Sequence, residues 1–151
     1  MLIRSANLQD IDQIVQLIVP FIDEFAINSQ GRTLLGRTNI IKLLNMENMQ
    51  YFVAEADCQI IGVIAYMKPA HLVHFFVDQD HQRQGIGRQL WDFVEADAKK
   101  NLITKFTVNS SCNAQKVYQA FGFKQSASVL EQHGLKFIPM CKNYELDQVN
   151  N

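Results

Sequence analysis

The residues best suited to chemistry lie between His74 and Asp97, in the order HFFVDQDHQRQGIGRQLWDFVEAD. The stretch begins with the β-rich Phe75-Phe76-Val77, continues through a polar segment to Gly85 and Gly87, and then shows helical periodicity. This pattern predicts a strand, a loop and a helix. The first N–H groups of a helix have no partner inside it and lie at the positive end of the helix dipole. An anion, first of all a phosphate or pyrophosphate, is therefore the ligand to expect.

The glycine pair also has a second explanation, because a GxG sequence occurs at strand-to-helix turns for reasons of geometry alone. The nearby Arg83 and Arg88 are either phosphate contacts or solvated surface charges. Short motifs of this kind gain meaning from their structural context. The loop alone thus leaves phosphate binding and turn geometry as alternatives.

Length and charge set the class of protein. The 151 residues predict a single domain over 1–151, since domains most often hold about 100 to 150 residues. A chain of this length buries a substantial core without covalent staples. The formal net charge of −1 gives no electrostatic reason to expect a nucleic-acid partner, which usually leaves a strongly basic footprint.

Cysteine usage and hydropathy indicate the compartment. The three cysteines, Cys58, Cys112 and Cys141, are widely spaced and include no CxxC pair, which fits neither a disulfide framework nor a metal site. No apolar run of about 18 residues occurs, and the N-terminus has no signal-peptide core. We therefore expect a soluble cytoplasmic protein with no membrane partner and no metal.

The first half of the chain changes from helical to strand periodicity. Leu2 to Ser5 predicts a short strand, and apolar residues at helical spacing predict a helix that ends near Pro20. A loop or broken helix covers 21–32, and a second helix covers about 34–44. Three strands follow, at 51–55, 59–67 and 72–77. Their short polar breaks favour antiparallel hairpins.

The second half continues with a helix from about Gly87 to Lys100 and a strand from Lys105 to Asn109. A further helix carries Tyr118 and is closed by Gly122 as a C-cap. Two strands near 123–130 and 135–142 precede a polar tail, 143–151, that is expected to fray. Together these elements predict an α/β fold with a mixed, mostly antiparallel central sheet of about seven strands and about four helices.

Two motifs, each on a suitable element, resemble those of the GNAT superfamily of acyl-CoA-dependent N-acyltransferases. The first is (Q/R)xxGx(G/A), here Gln82-Arg83-Gln84-Gly85-Ile86-Gly87, after a strand that ends at Val77. The second is a helix with a tyrosine just before a closing Gly-Phe, here NAQKVYQAFGF with Tyr118, Gly122 and Phe123. The order of elements along nearly the whole chain also fits. The resemblance implies the GNAT acyltransferase fold and an acetyl-CoA-dependent N-acetyltransferase.

The resemblance also implies how coenzyme A is held. Backbone N–H groups of the signature loop, from Gln82 through Arg88, would bind the pyrophosphate. Main-chain groups of Phe75, Phe76 and Val77 would pair with the pantetheine amides like an added strand, because the sheet of this fold splays there. Asn109 and Ser111 either cap the Tyr118 helix or contact the cofactor.

Transfer of the acetyl group by direct attack of a primary amine on the thioester has three physical needs. The amine must be neutral, the oxyanion needs hydrogen-bond donors, and the leaving sulfur needs a proton. By resemblance, the N–H of Val77, or of a neighbour at the end of the strand, is the oxyanion donor, and Tyr118 is the general acid. Tyr118 also lies on an apolar helical stripe, so a core aromatic is the alternative for it.

The general base is not identified by the sequence. One branch of the family, which acetylates protein N-termini, has a glutamate and an asparagine where this chain has Phe106 and Ser111. His74, Glu24 and water therefore remain as candidates. His71 and His74 are three residues apart on a strand and should point to opposite faces, which argues against a metal pair.

The acceptor, a small-molecule or peptide amine, is not named by any motif. Specificity should come from the segment 20–38 and the hairpin in the 130s. Asp23 and Glu24 either attract a cationic amine or form a solvated helix face. A non-catalytic CoA-binding sensor is the alternative function, which the missing glutamate allows and Tyr118 argues against. A homodimer is left open.

Overall fold

The structure, a computed structural model, describes residues 1–145 and within them forms one sheet with helices on both faces. The polar tail predicted to fray lies outside the described residues from position 146 onward. The strands are β1 Leu2–Ser5, β2 Met49–Ala56, β3 Gln59–Met67, β4 His71–Val77, β5 Lys105–Ser110, β6 Lys124–Gln125, β7 Leu130–Gln132 and β8 Leu135–Asn143. The α-helices are α1 Ile11–Ile18, α2 Ser29–Leu34, α3 Arg37–Leu44, α4 Ile86–Lys99 and α5 Gln115–Ala120.

The sheet is mixed and mostly antiparallel, as predicted. Its strands follow the order β1-β2-β3-β4-β5-β8-β6, and β7 pairs with β8 off this path. The pairing between β4 and β5 is parallel, and α4 provides the crossover that a parallel pair needs. None of the helices within residues 1–145 is both long and apolar enough to cross a membrane.

Side chains of the central strands alternate between two hydrophobic clusters, one on each face of the sheet. In β2, Phe52 and Ala54 join the cluster under α4 and α5, while Tyr51 and Val53 join the cluster under α1 and α3. This alternation is the expected consequence of the two-residue repeat of a strand. The site described below lies where the α4 and α5 side meets the end of β4.

Three parts of the structure differ from the sequence prediction. Within the segment 21–32, predicted as a loop or broken helix, the Asn28 side chain accepts a hydrogen bond from the Gly31 N–H at 3.1 Å, and this N-cap starts α2. The predicted second helix is divided, because α3 starts from the extended Gly36. At the other end of the chain, the predicted strand 123–130 is divided into β6 and β7. The described residues therefore hold eight strands and five α-helices.

The local geometry of β4 prepares the site. On β3, the consecutive residues Ala65 and Tyr66 face His74 and Leu72, so Val73 is the extra residue of a β-bulge. Pairing of β4 with β5 is limited to its first two residues. Beyond them the two strands separate, which is the splay expected beside this strand.

Candidate active site

Two residues at the end of β4 have main-chain groups that face away from β3. The Asp78 N–H donates to the Ile61 carbonyl at 2.8 Å, which fixes the phase of the antiparallel ladder. Alternate residues of such a ladder bond to the same neighbour. Phe76 is therefore bonded to β3, while the N–H and C=O groups of Phe75 and Val77 point into the gap beside β5. This differs from the expectation that the main chain of Phe76 is also free.

The loop between β4 and α4 is shaped by residues with left-handed backbone angles. Gly85 has a φ of 81°, and Arg83, unusually for a residue with a Cβ, has a φ of 65°. Left-handed residues in such loops turn N–H groups towards a common concavity that binds anions. The Gln82 side-chain amide donates to the Val77 carbonyl at 3.2 Å, which fastens the loop to the strand. The Val77 N–H remains directed into the gap.

The first turn of α4 is bare on the side that faces β4. No side chain caps this 14-residue helix at Gly85, so its first N–H groups are available to a ligand. A Cβ built on Gly87 would lie 3.6 Å from the nearest ring atom of Phe75, an ordinary contact distance. The protein itself thus has room for a side chain at position 87. Glycine there leaves the helix start accessible from the cavity.

A cavity of about 540 Å³ lies between β4, the start of α4, the turn after β5 and the segment around Phe21 to Phe25. Most of the predicted site residues meet in its lining, namely Phe75, Phe76, Val77, Gln82, Arg83, Gly85, Ile86, Gly87, Ser111 and Tyr118. Its size is within the range of small-molecule and cofactor sites. The cavity therefore brings the signature loop and the tyrosine of the second motif to one place.

Three predicted cofactor residues do not line this cavity. Gln84 is exposed on the loop, and Asn109 is exposed on β5. Arg88 lies over the Phe121 ring at 4.8 Å and is 3.8 Å from Asp92. Coenzyme A is larger than the cavity, so part of it must extend beyond the lining residues. Contact of these three exposed residues with that part stays a prediction.

Sequence reasoning missed other residues of the lining, chiefly Phe21, Phe25, His81, Asn113 and Val117. They come from short 3-10 turns and from the exposed side of α5, whose spacing gave no motif. The aromatic residues four apart in the sequence FIDEF were the one available signal. Their role follows from the fold, which brings this segment over the end of β4.

Tyr118 is buried, with 6% of its surface exposed, and its ring contacts those of Phe75 and Phe123 at centroid distances of 6.1 and 5.6 Å. Its hydroxyl has no hydrogen-bond partner among the described residues, although the residue borders the cavity. Burial raises the pKa of the phenol above its ordinary value. The hydroxyl is therefore protonated at neutral pH and can donate to a group in the cavity.

Glu24 and Ser111 approach each other across the cavity from different parts of the chain. The Ser111 hydroxyl accepts a hydrogen bond from the Ala114 N–H at 3.1 Å and lies 3.4 Å from a Glu24 carboxylate oxygen. Ser111 thus caps the turn before α5, as predicted, and also faces the cavity. Glu24, one of the three candidate bases, has its carboxylate at the site.

His74, another candidate base, is placed differently. Its Nδ1 is 2.9 Å from the Tyr51 hydroxyl, its side chain is buried in the sheet, and it does not line the cavity. Burial lowers the pKa of His74 to about 4. His71 has a different partner, the Thr107 hydroxyl, at 2.7 Å. Within residues 1–145 no cluster of His, Cys, Asp and Glu side chains is suited to a metal ion.

Comparison with known families decides the classification. The family model described as the acetyltransferase (GNAT) domain matches residues 37–144, which include the whole of β2 to β8 and the site residues from Phe75 to Tyr118. The chain belongs to the GNAT acetyltransferase family. The resemblance seen in the two sequence motifs is thereby confirmed, and the mixed sheet is the fold of this family.

Solved structures of other GNAT proteins have the same fold at low sequence identity. A GNAT acetyltransferase from Staphylococcus aureus Mu50 superposes with a TM-score of 0.75 at 20% identity, covering 95% of this chain and 99% of the other. The PaiA N-acetyltransferase of Thermoplasma acidophilum, solved with coenzyme A, gives 0.74 at 17%, covering 95% and 98%. An aminoglycoside 6'-N-acetyltransferase, also with coenzyme A, gives 0.72 at 14%, covering 95% and 97%.

Proposed function

We propose that this GNAT protein transfers the acetyl group of acetyl-CoA to a primary amine by direct attack of the amine on the thioester. One observation carries the proposal above the others. The free main-chain groups of Phe75 and the free N–H of Val77 face a cavity that the bare start of α4 and the Tyr118 hydroxyl also border. A strand edge, an anion site and a proton donor are the three elements that binding and cleaving an acyl-CoA thioester requires.

The residues present suit two parts of coenzyme A, the pyrophosphate and the pantetheine arm. The concavity formed by Arg83, Gly85 and the first N–H groups of α4 suits the negatively charged pyrophosphate. The Arg83 side chain, which has no ion-pair partner among the described residues, adds a positive charge there. The N–H and C=O of Phe75 can pair with an extended amide-bearing arm as a neighbouring strand does. The two GNAT structures solved with coenzyme A support this assignment.

Acetyl-CoA supplies the acetyl group and leaves as the free thiol. A main-chain N–H directed into the gap, that of Val77 or of Phe75 deeper in it, donates to the thioester oxygen as negative charge develops on it, which lowers the barrier most when water is excluded. The Tyr118 hydroxyl donates its proton to the sulfur as the C–S bond breaks. Phe75 and Phe76 line the cavity, and we expect their rings to shield the reacting atoms from water once the cofactor is bound.

The proton balance sets a further requirement. A primary ammonium ion, with a pKa of about 10, loses one proton before the N–C bond forms and a second afterwards, while the sulfur gains one. One proton is therefore released to solvent for each acetyl group transferred. Because His74 is buried away from the cavity, we assign removal of the first proton to Glu24 or to water.

Calorimetry followed by a thiol-release assay tests the proposal. Acetyl-CoA and coenzyme A should both bind the purified protein, and adding amines from a panel should release thiol in proportion to acetylated amine. Binding without thiol release for any amine would instead indicate the sensor function. Absence of binding would contradict the proposed site itself.

A charge-placement variant locates the cofactor site. Gly87→Glu puts a carboxylate at the uncapped start of the helix. There it interacts favourably with the helix dipole but repels a pyrophosphate. Ala96→Glu puts the same charge on an exposed position of the same helix, away from its start. We expect the Kd for coenzyme A to rise about tenfold or more in the first variant and less than about threefold in the control. Equal effects would argue against pyrophosphate binding at this turn.

A further inference from the structure

Glu24 differs from the other buried or half-buried carboxylates within residues 1–145 in its charged surroundings. Five other Asp and Glu residues within 1–145 are buried or half-buried, and each has a basic partner within 4 Å: Asp10 and Glu55 with Arg4, Asp78 with His81, Glu95 with Lys142, and Asp97 with Lys100. Half-buried Glu24 has only the 3.4 Å contact with the Ser111 hydroxyl. A partly desolvated carboxylate without a cation is costly unless a ligand provides the cation.

Aromatic rings surround the same end of the cavity. Phe21 and Phe25 come from the segment that carries Glu24, and both contact the Phe76 ring, at centroid distances of 5.4 and 6.2 Å. All three rings and Glu24 line the cavity. Aromatic faces attract cations and also provide apolar area for an organic stem. The combination suits an ammonium group carried on an apolar chain.

Charge differs between the two ends of the cavity. Arg83 lies at the end formed by the signature loop, and Glu24 is the single carboxylate among the described residues of the lining. An anion is therefore favoured at one end and a cation at the other. Since the amine must meet the thioester beyond the end of β4, the acidic and aromatic end is the one left for the acceptor.

The wall that carries Glu24 is fixed to the rest of the molecule. The Lys136 N–H donates to the Phe25 carbonyl at 2.7 Å, and the Ile27 N–H donates to the Gly134 carbonyl at 2.8 Å. The turn between β7 and β8 thus ties down the chain directly after Glu24. A site held in this way is formed before the ligand arrives, which reduces the cost of binding.

We infer that Glu24, together with Phe21, Phe25 and Phe76, binds the acceptor, and that the acceptor is a primary ammonium on an apolar, aromatic or aliphatic stem. The role of this site as an acceptor site rests on the proposed acetyl transfer. The residues that would bind the ammonium group are identified independently of that proposal. The Glu24 carboxylate accepts a charge-assisted hydrogen bond from the ammonium group. The rings cover the stem and exclude a heavily hydroxylated acceptor.

Direct binding to the coenzyme A complex tests the inference separately from turnover. The probes are 2-phenylethylamine and its neutral analogue 2-phenylethanol, titrated by calorimetry at about neutral pH, where the amine is charged. Glu24→Gln removes the charge and keeps the shape, while Asp23→Asn removes the neighbouring charge, which is 83% exposed and paired with Arg32. Loss of one charge-assisted hydrogen bond should raise the Kd for the amine by about tenfold or more.

We expect wild type and Asp23→Asn to bind the amine equally, Glu24→Gln to bind it about tenfold or more weakly, and all three to bind the alcohol alike. Glu24→Gln should keep the wild-type affinity for coenzyme A. Equal binding of the amine by Glu24→Gln and wild type, or no binding of the amine by wild type, would overturn the inference. Thiol release is not part of this readout, so a failure of the proposed activity would be recognised separately.

Discussion

The Tyr118 hydroxyl is the side-chain group whose removal should most directly affect chemistry. A free phenol has a pKa about 1.5 units above that of a thiol, and burial raises the pKa of Tyr118 further. The proton therefore moves only as the sulfur becomes negative, and a thiolate formed in the same apolar cavity is itself a stronger base than in water. General acid catalysis of this kind adds about 100-fold at the lower end of its range.

We predict that Tyr118→Phe lowers kcat by about 100-fold and leaves the KM for acetyl-CoA within about threefold of wild type. Steady-state thiol release over a range of acetyl-CoA concentrations measures both constants. Tyr66→Phe is the matched control, because it removes a hydroxyl that donates to Asp97 at 2.6 Å away from the cavity. Tyr118 would lose its assignment if the variant kept kcat within about twofold.

The candidate site was only partly accessible to sequence reasoning. Gly85, Gly87 and Tyr118 were found because each belongs to a motif whose residues have a fixed spacing within a short stretch of the chain. Glu24 was named as a candidate base and, with Asp23, as a possible attractor of a cationic amine, but the sequence did not separate the two residues, since the lack of a basic partner depends on which distant residues surround Glu24. His74 has a useful ordinary pKa, but its burial beside Tyr51 follows from sheet packing that the sequence does not display.

Element order was largely predictable, and element ends were not. Strand β1 was predicted with its observed bounds, and the strand–helix–strand unit through α4 followed from the change of hydrophobic period. The start of α2 depends on a capping contact from Asn28, and the division before α3 depends on the extended backbone of Gly36. Both compete with helical periodicity in the sequence. The bulge at Val73 has no sequence signal, because it is defined by the register with β3.

The contact between α2 and the turn before β8 offers an element-level test of the acceptor wall. Gly134 has a φ of 79°, and a Cβ at this position would overlap the Asn28 side-chain oxygen and come 2.5 Å from the Gly31 nitrogen. A residue with a Cβ in this backbone region costs about 1–3 kcal/mol. The overlap adds to this cost, because the neighbouring backbone must move.

We predict that Gly134→Ala loses at least about 1–3 kcal/mol of stability and raises the KM for the amine, since the Gly134 carbonyl holds the chain that follows Glu24. The Kd for coenzyme A should stay at the wild-type value, because the signature loop lies at the other end of the cavity. Urea denaturation and separate titrations of the two substrates measure these effects. Parallel losses for both ligands would show that the two ends are not independent.

The stability of the whole molecule should depend on pH through a group that the proposed chemistry does not use. His74 is 3% exposed, and its ring packs between those of Tyr51 and Phe76 at centroid distances of 5.7 and 5.6 Å. Burial lowers its pKa from 6.5 to about 4. As pH falls below about 6.5, the unfolded chain takes up a proton that the folded chain refuses, so the free energy of unfolding decreases.

For these two pKa values, the free energy of unfolding decreases by about 2 kcal/mol between about pH 7 and pH 5. We predict that His74→Gln, which does not titrate but keeps a polar partner for the Tyr51 hydroxyl, reduces this pH dependence by about the same amount. Urea titrations of both proteins at the two pH values measure it, and the comparison is of differences, so a general loss of stability in the variant cancels. His71, whose pKa burial also lowers, contributes equally to both proteins. An unchanged pH dependence in the variant would mean that His74 binds its proton in the folded state, against the cost of burying a charge in this apolar layer of the sheet.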